Sequence, residues 1–257
     1  HPATPGVPFP DVLEASGVLA ARFAGLGAVT ALGASSRYNC KSIAALLGVL
    51  RGTFVKIYVC GCEDDRDDLS GSVECFDTRA AEWRAMPPMP RCRSEMAVAA
   101  ADGRVYLCGG QEGPEGEVLA TADCFDPLTM AWEELPPMAE PRLEALAVVA
   151  AGQLYVCGGM DGVVPLRSAE RFDAASGCWE ALPPMASRRC AGVGGVLAGY
   201  IYAGGGGNGQ RATREAERFN IRAMVWEALP AMAEARTSAA SAMLQRQWFV
   251  FGGADGR

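Results

Sequence analysis

Four arginines stand at a fixed distance from a pair of glycines. Arg93, Arg142, Arg189 and Arg236 each precede a doublet by 16 residues, the doublets being Gly109-Gly110, Gly158-Gly159, Gly205-Gly206 and Gly252-Gly253. A guanidinium is a planar fork that matches a carboxylate or a phosphate, so four brought together would read an acidic or phosphorylated peptide. The competing use is structural, with the same arginines pinning loops through backbone or Asp/Glu acceptors. Other chemistry is harder to assemble. The chain holds one histidine, His1, which excludes Ser-His-Asp and Cys-His nucleophiles and the usual copper or mixed Cys/His zinc sites. Cys60 and Cys62 form a lone CxC with no second half, and there is no CxxC. Asp64, Asp65, Asp67 and Asp68 around Arg66 match no calcium-loop spacing and read as a solvated loop. The run Gly204 to Gly207 follows a strand but opens no helix and lacks the Lys-Ser/Thr of a phosphate cradle. No catalytic constellation of carboxylates stands out, so no catalytic residue, metal or cofactor is expected.

The background composition narrows the setting. The 257 residues are 50% apolar and 21% charged, as in a globular chain, and the net charge of −7 disfavours nucleic acid as a partner. Arginine supplies nearly all the basic residues, Lys41 and Lys56 being the only lysines, which reads as codon bias. The longest uncharged stretch near the N-terminus, 23–36, is too short to cross a bilayer, so no membrane partner is expected. Cys60, Cys108 and Cys157 recur in one strand slot, and Cys75 with Cys124 in another, as small buried hydrophobes do. Reduced, structural cysteines point to a cytoplasmic or nuclear protein.

The elements that must hold the arginines come from a repeat. Tryptophans fall at Trp83, Trp132, Trp179 and Trp226, each followed by a Pro-Met turn such as LPPM. Between doublet and tryptophan lies an acidic-aromatic phrase: VECFD, ADCFD, AERFD and AERFN. One unit reads as four antiparallel strands: a small apolar strand, then LYVCG, then SAERFD, then CWEAL before the Pro-Pro turn. Such a sheet buries both faces only by stacking on its neighbours around an axis. By parity, the arginine-bearing links and the loops between strands two and three emerge on one face.

The ordered set of arginine, strand, turn, Tyr-x-x-Gly-Gly, acidic-aromatic phrase, tryptophan and Leu-Pro-x-Met resembles the Kelch repeat. The resemblance covers residues 42–257 and implies an all-β fold, a Kelch-type β-propeller of four-stranded antiparallel blades. Blades are expected at 41–89, 90–138, 139–185 and 186–232, with a partial one at 233–257. These make about 4.5 blades, expected to be a fragment of a six-bladed ring. Residues 1–40 read as a helical leader. Within it Phe9-Pro10-Asp11-Val12-Leu13 and Leu26-Gly27-Ala28-Val29 resemble a degenerate F-box, the alternative being a plain linker helix. These resemblances imply a protein-interaction module that recognises substrates for a ubiquitin ligase, docking the ligase scaffold through residues 1–40. The alternatives are a Kelch scaffold in cytoskeletal or signalling assemblies and, more remotely, a carbohydrate-active Kelch-like enzyme. On the leading reading the chain is not an enzyme, and Arg93, Arg142, Arg189 and Arg236 bind an acidic partner peptide.

Overall fold

The computed structural model describes residues 46–49, 55–63, 69–77, 79–101, 103–113, 116–244 and 246–256; the expected helical leader and F-box lie outside them. The described residues form five antiparallel sheets. The first contains β1 (Leu46–Val49), β2 (Val55–Glu63), β3 (Leu69–Asp77) and β4 (Glu82–Met86). The second contains β5 (Ala97–Ala101), β6 (Arg104–Cys108), β7 (Ala122–Asp126) and β8 (Ala131–Leu135). The third contains β9 (Leu146–Ala150), β10 (Gln153–Cys157), β11 (Ala169–Asp173) and β12 (Cys178–Leu182). The fourth contains β13 (Val193–Leu197), β14 (Tyr200–Gly204), β15 (Ala216–Asn220) and β16 (Val225–Leu229). The fifth has two strands, β17 (Ala240–Leu244) and β18 (Gln247–Phe251). Each four-stranded sheet is a meander in sequence order, and the inner strands β1, β5, β9, β13 and β17 are successive neighbours around an axis.

Local chemistry sets each turn. Ala151-Gly152 and Ala198-Gly199 both have positive φ at the two loop positions, the primed turn that matches strand twist. The last residue of each acidic-aromatic phrase closes the next turn. Asp77, Asp126, Asp173 and Asn220 accept backbone N–H bonds two residues on through Oδ1, at 2.8 to 3.1 Å.

The hydrophobic core lies between sheets rather than within one. Val105 and Leu107 pack towards Tyr58, Cys60, Val73 and Cys75 of the first sheet. On the alternate positions Cys108 and Tyr106 pack towards Leu154, Val156 and Phe172 of the third. This period of two gives a strand such as β6 two buried faces, so each blade needs a neighbour. Trp132, Trp179 and Trp226 pack against the clusters that join their own blade to the preceding one. Each stacks on the phenylalanine of its own blade, as Trp132 does on Phe125 and Trp179 on Phe172, with centroids 5.0 and 5.3 Å apart. The indole N–H then reaches back to the preceding Pro-Pro turn: Trp132 to the carbonyl of Pro87, Trp179 to Pro136 and Trp226 to Pro183. Trp83 stacks on Phe76 but stays 51% exposed.

Candidate partner-binding face

The links between blades and the loops between second and third strands meet at one end of the sheets, as parity requires. The double glycines make that meeting close. A Cβ on Gly109, in a left-handed backbone with φ of 66°, would lie 2.0 Å from the carbonyl oxygen of Arg142, and on Gly158 it would lie 2.4 Å from that of Arg189. No side chain fits there. The second glycine of three doublets hydrogen-bonds the carbonyl of the next arginine: Gly110 N–H to Arg142 at 2.7 Å, Gly159 N–H to Arg189 at 2.8 Å and Gly206 N–H to Arg236 at 2.6 Å.

This geometry turns three of the arginines inwards. Arg142 donates from Nη1 to the carbonyls of Gly158 (2.8 Å) and Ser168 (3.2 Å), and from Nη2 to Glu170 (2.8 Å) and Glu140 (3.2 Å). Arg189 repeats the pattern with Gly205, the Glu215 carbonyl and Glu217. Arg93 repeats it with Gly109, Thr121 and Asp123. All three are at most 3% exposed. Burial pushes the Asp123 carboxyl above its usual range, with the Arg93 charge opposing, which is the balance of a desolvated pair. The expected pocket of four arginines for an acidic peptide is therefore corrected. Arg93, Arg142 and Arg189 are internal braces between a link, a double glycine and a third strand. A signal for this was present in the sequence: each is followed 28 or 30 residues later by an acid of the acidic-aromatic phrase. Arg236 differs. It donates to the Gly252 carbonyl at 2.6 Å and to Glu234 at 2.7 Å, and its side chain is 28% exposed.

Two carboxylates that sequence reasoning passed over lie near the axis. Glu95, Glu144, Ala191 and Ser238 stand two residues after the four arginines, and all have φ between 49° and 54°. Their backbones form a chain around the inner rim: Glu144 N–H to Glu95, Ala191 N–H to Glu144 and Ser238 N–H to Ala191. The first two positions carry acids. Burial pushes the Glu144 carboxyl up to about 7, the Glu95 charge adding to it and a Cys190 hydrogen bond opposing. No sequence period marks these acids, since the same slot holds Ala191 and Ser238 in the next links.

Outside the braces, the loop tips vary on one backbone. In the third blade Asp161 Oδ1 accepts the N–H groups of Val163 and Val164, both at 2.8 Å. In the fourth, Asn208 Oδ1 accepts those of Gln210 and Arg211 at 3.0 and 3.1 Å. The same turn thus presents two valines in one blade, Val163 at 84% exposure, and a polar pair in the next. The cysteines occupy the expected interior slots. Cys60, Cys108 and Cys157 are buried free thiols, each pushed up to about 12 by burial. Among the described residues no group of three or more His, Cys, Asp and Glu is arranged to hold a metal ion, and no helix is long and apolar enough to cross a membrane.

Blades of four-stranded meanders, braced by inward arginines and tipped with variable loops, define a β-propeller of the protein-interaction class. The family model described as the KLHDC2/KLHL20/DRC7 Kelch-repeats domain matches residues 49–197, and the chain belongs to that Kelch-repeat family. The solved structure of YjhT shares the fold, with a TM-score of 0.70 over 84% of this chain and 79% of that one, at 13% identity. Among curated proteins none matches the chain in sequence.

Proposed function

We propose that this propeller recognises a protein partner through its link-and-loop face, as the substrate-recognition part of a ubiquitin ligase. The observation that carries the recognition reading is the pairing of constant backbone with changing tips. Asp161 and Asn208 build the same turn, yet Val163-Val164 and Gln210-Arg211 face solvent from it. Binding loops held by a rigid scaffold have this form. Binding rather than catalysis is also favoured by how the buried acids are used, since Asp123, Glu170 and Glu217 are each tied to a guanidinium. The ligase role rests on the F-box resemblance of residues 1–40, and a cytoplasmic or nuclear setting fits its free thiols.

Two captures from cell extract separate these levels. Val163→Asp with Val164→Asp in an otherwise unchanged chain is expected to abolish partner capture; full capture by that variant would reject the loop face. Removal of residues 1–40 is expected to lose a ligase scaffold while keeping the partner. Scaffold capture that is absent in the parent chain would leave a non-ligase Kelch scaffold as the reading, and capture that survives the deletion would take the docking role away from residues 1–40.

A further inference from the structure

The loop face is uneven in charge over a rigid stretch of backbone. The loops between second and third strands overlap from blade to blade. A Cβ on Gly162 of the third blade would meet Val118 of the second at 3.1 Å, and one on Gly209 of the fourth would meet the Pro165 ring of the third at 3.2 Å. Bridges from Met160 to Pro165 and from Gly207 to Ala212 close the third and fourth loops. Further bridges tie Met160 to Leu143 and Gly207 to Cys190 in the links below. Arg188, from the link between the third and fourth blades, fastens the overlap by donating Nη1 to the Pro165 carbonyl at 2.7 Å. The two loops therefore form a fixed shelf, already ordered before anything binds.

Exposed side chains change in order along this shelf. The second-blade loop carries Glu112 and Glu117, the third Val163 and Val164, and the fourth Arg211, with Arg188 at the overlap. Arg167 and Arg214, also exposed, leave the two loops at equivalent positions, their carbonyls accepting the N–H groups of Met185 and Met232. Among the described residues no carboxylate oxygen lies within 4.0 Å of these four guanidiniums. Along the blades the pattern is the opposite: Arg84 is paired with Glu82, Arg104 with Asp126, Arg171 with Glu180 and Arg218 with Glu227. On the second-blade side Arg91 is likewise paired with Glu112, at 3.7 Å. Asp161 sits in the field of Arg188, but its Oδ1 is taken by the N–H groups of Val163 and Val164. A chain of net charge −7 thus leaves a run of unpaired positive charge beside two exposed valines.

We propose that this shelf binds an acidic segment of a partner protein, with an aliphatic residue on Val163 and Val164 and Asp or Glu side chains on Arg188 and Arg211. The proposal rests on the loop-face reading above and names the chemistry of that face's partner. It uses other arginines than the internal braces Arg93, Arg142 and Arg189. Guanidinium forks carried on fixed backbone match carboxylates, and Arg167 and Arg214 extend the positive field along the same two loops. Glu117 repels the acidic end of the segment from the second blade, so the charges fix which way it lies. A single-stranded nucleic acid would meet the same arginines, but the valines offer no aromatic platform for its bases and the net charge opposes its approach.

The test uses the 257-residue chain and two fluorescently labelled, end-capped peptides, Leu-Leu-Gly-Glu-Asp-Glu-Asp and its counterpart with lysine at every acidic position. Anisotropy at low ionic strength is expected to show saturable binding of the acidic peptide alone, weakened about tenfold or more at high salt. Arg211→Gln, which removes a side chain with no partner in the fold, is expected to weaken binding about fivefold or more. Adding Arg188→Gln is expected to abolish saturation, whereas Arg171→Gln, at a paired arginine, leaves binding unchanged. The proposal is overturned by an absence of saturable binding, by equal affinity for the lysine peptide, or by unchanged binding in the Arg211→Gln chain. An oligothymidylate that binds more tightly and displaces the acidic peptide overturns it too, by giving the shelf to nucleic acid. Such failures leave the loop face intact if Val163→Asp with Val164→Asp still abolishes partner capture; a double variant with full capture fails the face itself.

Discussion

Replacing Arg142 with alanine separates a brace from a ligand-binding residue. The side chain is fully buried, and four hydrogen bonds leave its two terminal nitrogens. Truncation strands two carbonyl acceptors, those of Gly158 and Ser168, and the Glu170 carboxylate, whose side chain is 4% exposed. Glu140, at 46% exposure, regains water and adds little. Breaking one side of a buried ion pair costs about 3–5 kcal/mol, because the remaining charge is left uncompensated. Glu170 keeps one donor, the Ala139 N–H at 2.8 Å, which places the expected loss near the lower end, about 3 kcal/mol. Neutralising both partners, as Arg142→Met with Glu170→Gln, is expected to recover at least half of that loss. Urea unfolding followed by tryptophan fluorescence and far-UV circular dichroism reads both variants, with the midpoints compared at unchanged slope. An Arg142→Ala chain within about 1 kcal/mol of the parent, in the range of an exposed ion pair, would refute the brace. Loss of partner binding in that same stable variant would restore the arginine to a ligand-facing role.

Three further outcomes follow from the same geometry. Glu144 has a folded-state value of about 7, above its ordinary 4.5, so the folded chain holds more protons than the unfolded one between those values. Its contribution is therefore fully present below pH 4.5 and lost as pH rises to about 7; Glu144→Gln should gain on the parent across that window, by on the order of 2 kcal/mol at pH 8, in parallel denaturation series. Exposed Cys92 and Cys178 should react with a thiol reagent at pH 8 in the folded chain, while Cys60, Cys108 and Cys157 react only on unfolding, as mass spectrometry of labelled peptides would show. Trp179→Phe keeps the ring against Phe172 and loses the bond to the Pro136 carbonyl, with an expected cost of about 0.5–1.5 kcal/mol in urea unfolding.

The blades were legible because their chemistry repeats. The double glycine, the Asp or Asn after phenylalanine and the tryptophan each answer a local need that recurs in every unit, and a local need leaves a residue type at a fixed spacing. The direction of the arginines was not legible from that spacing alone. Distance along the chain places Arg142 at the right end of the sheet, but its burial depends on Glu170 in β11, the third strand after it. Pairing the two recurrent phrases, arginine with acid, would have exposed the brace. The rim acids Glu95 and Glu144 left no signal, because their closeness comes from the turn of one blade to the next rather than from any period.

On the proposed function, the link-and-loop face meets the partner while the arginines hold that face together. Hydrogen exchange of the chain with and without captured partner tests it most directly. Slowed exchange is expected at Met160–Leu166 and Gly207–Ala212, with the opposite turns after Asp126, Asp173 and Asn220 unchanged. Protection confined to those opposite turns would contradict it.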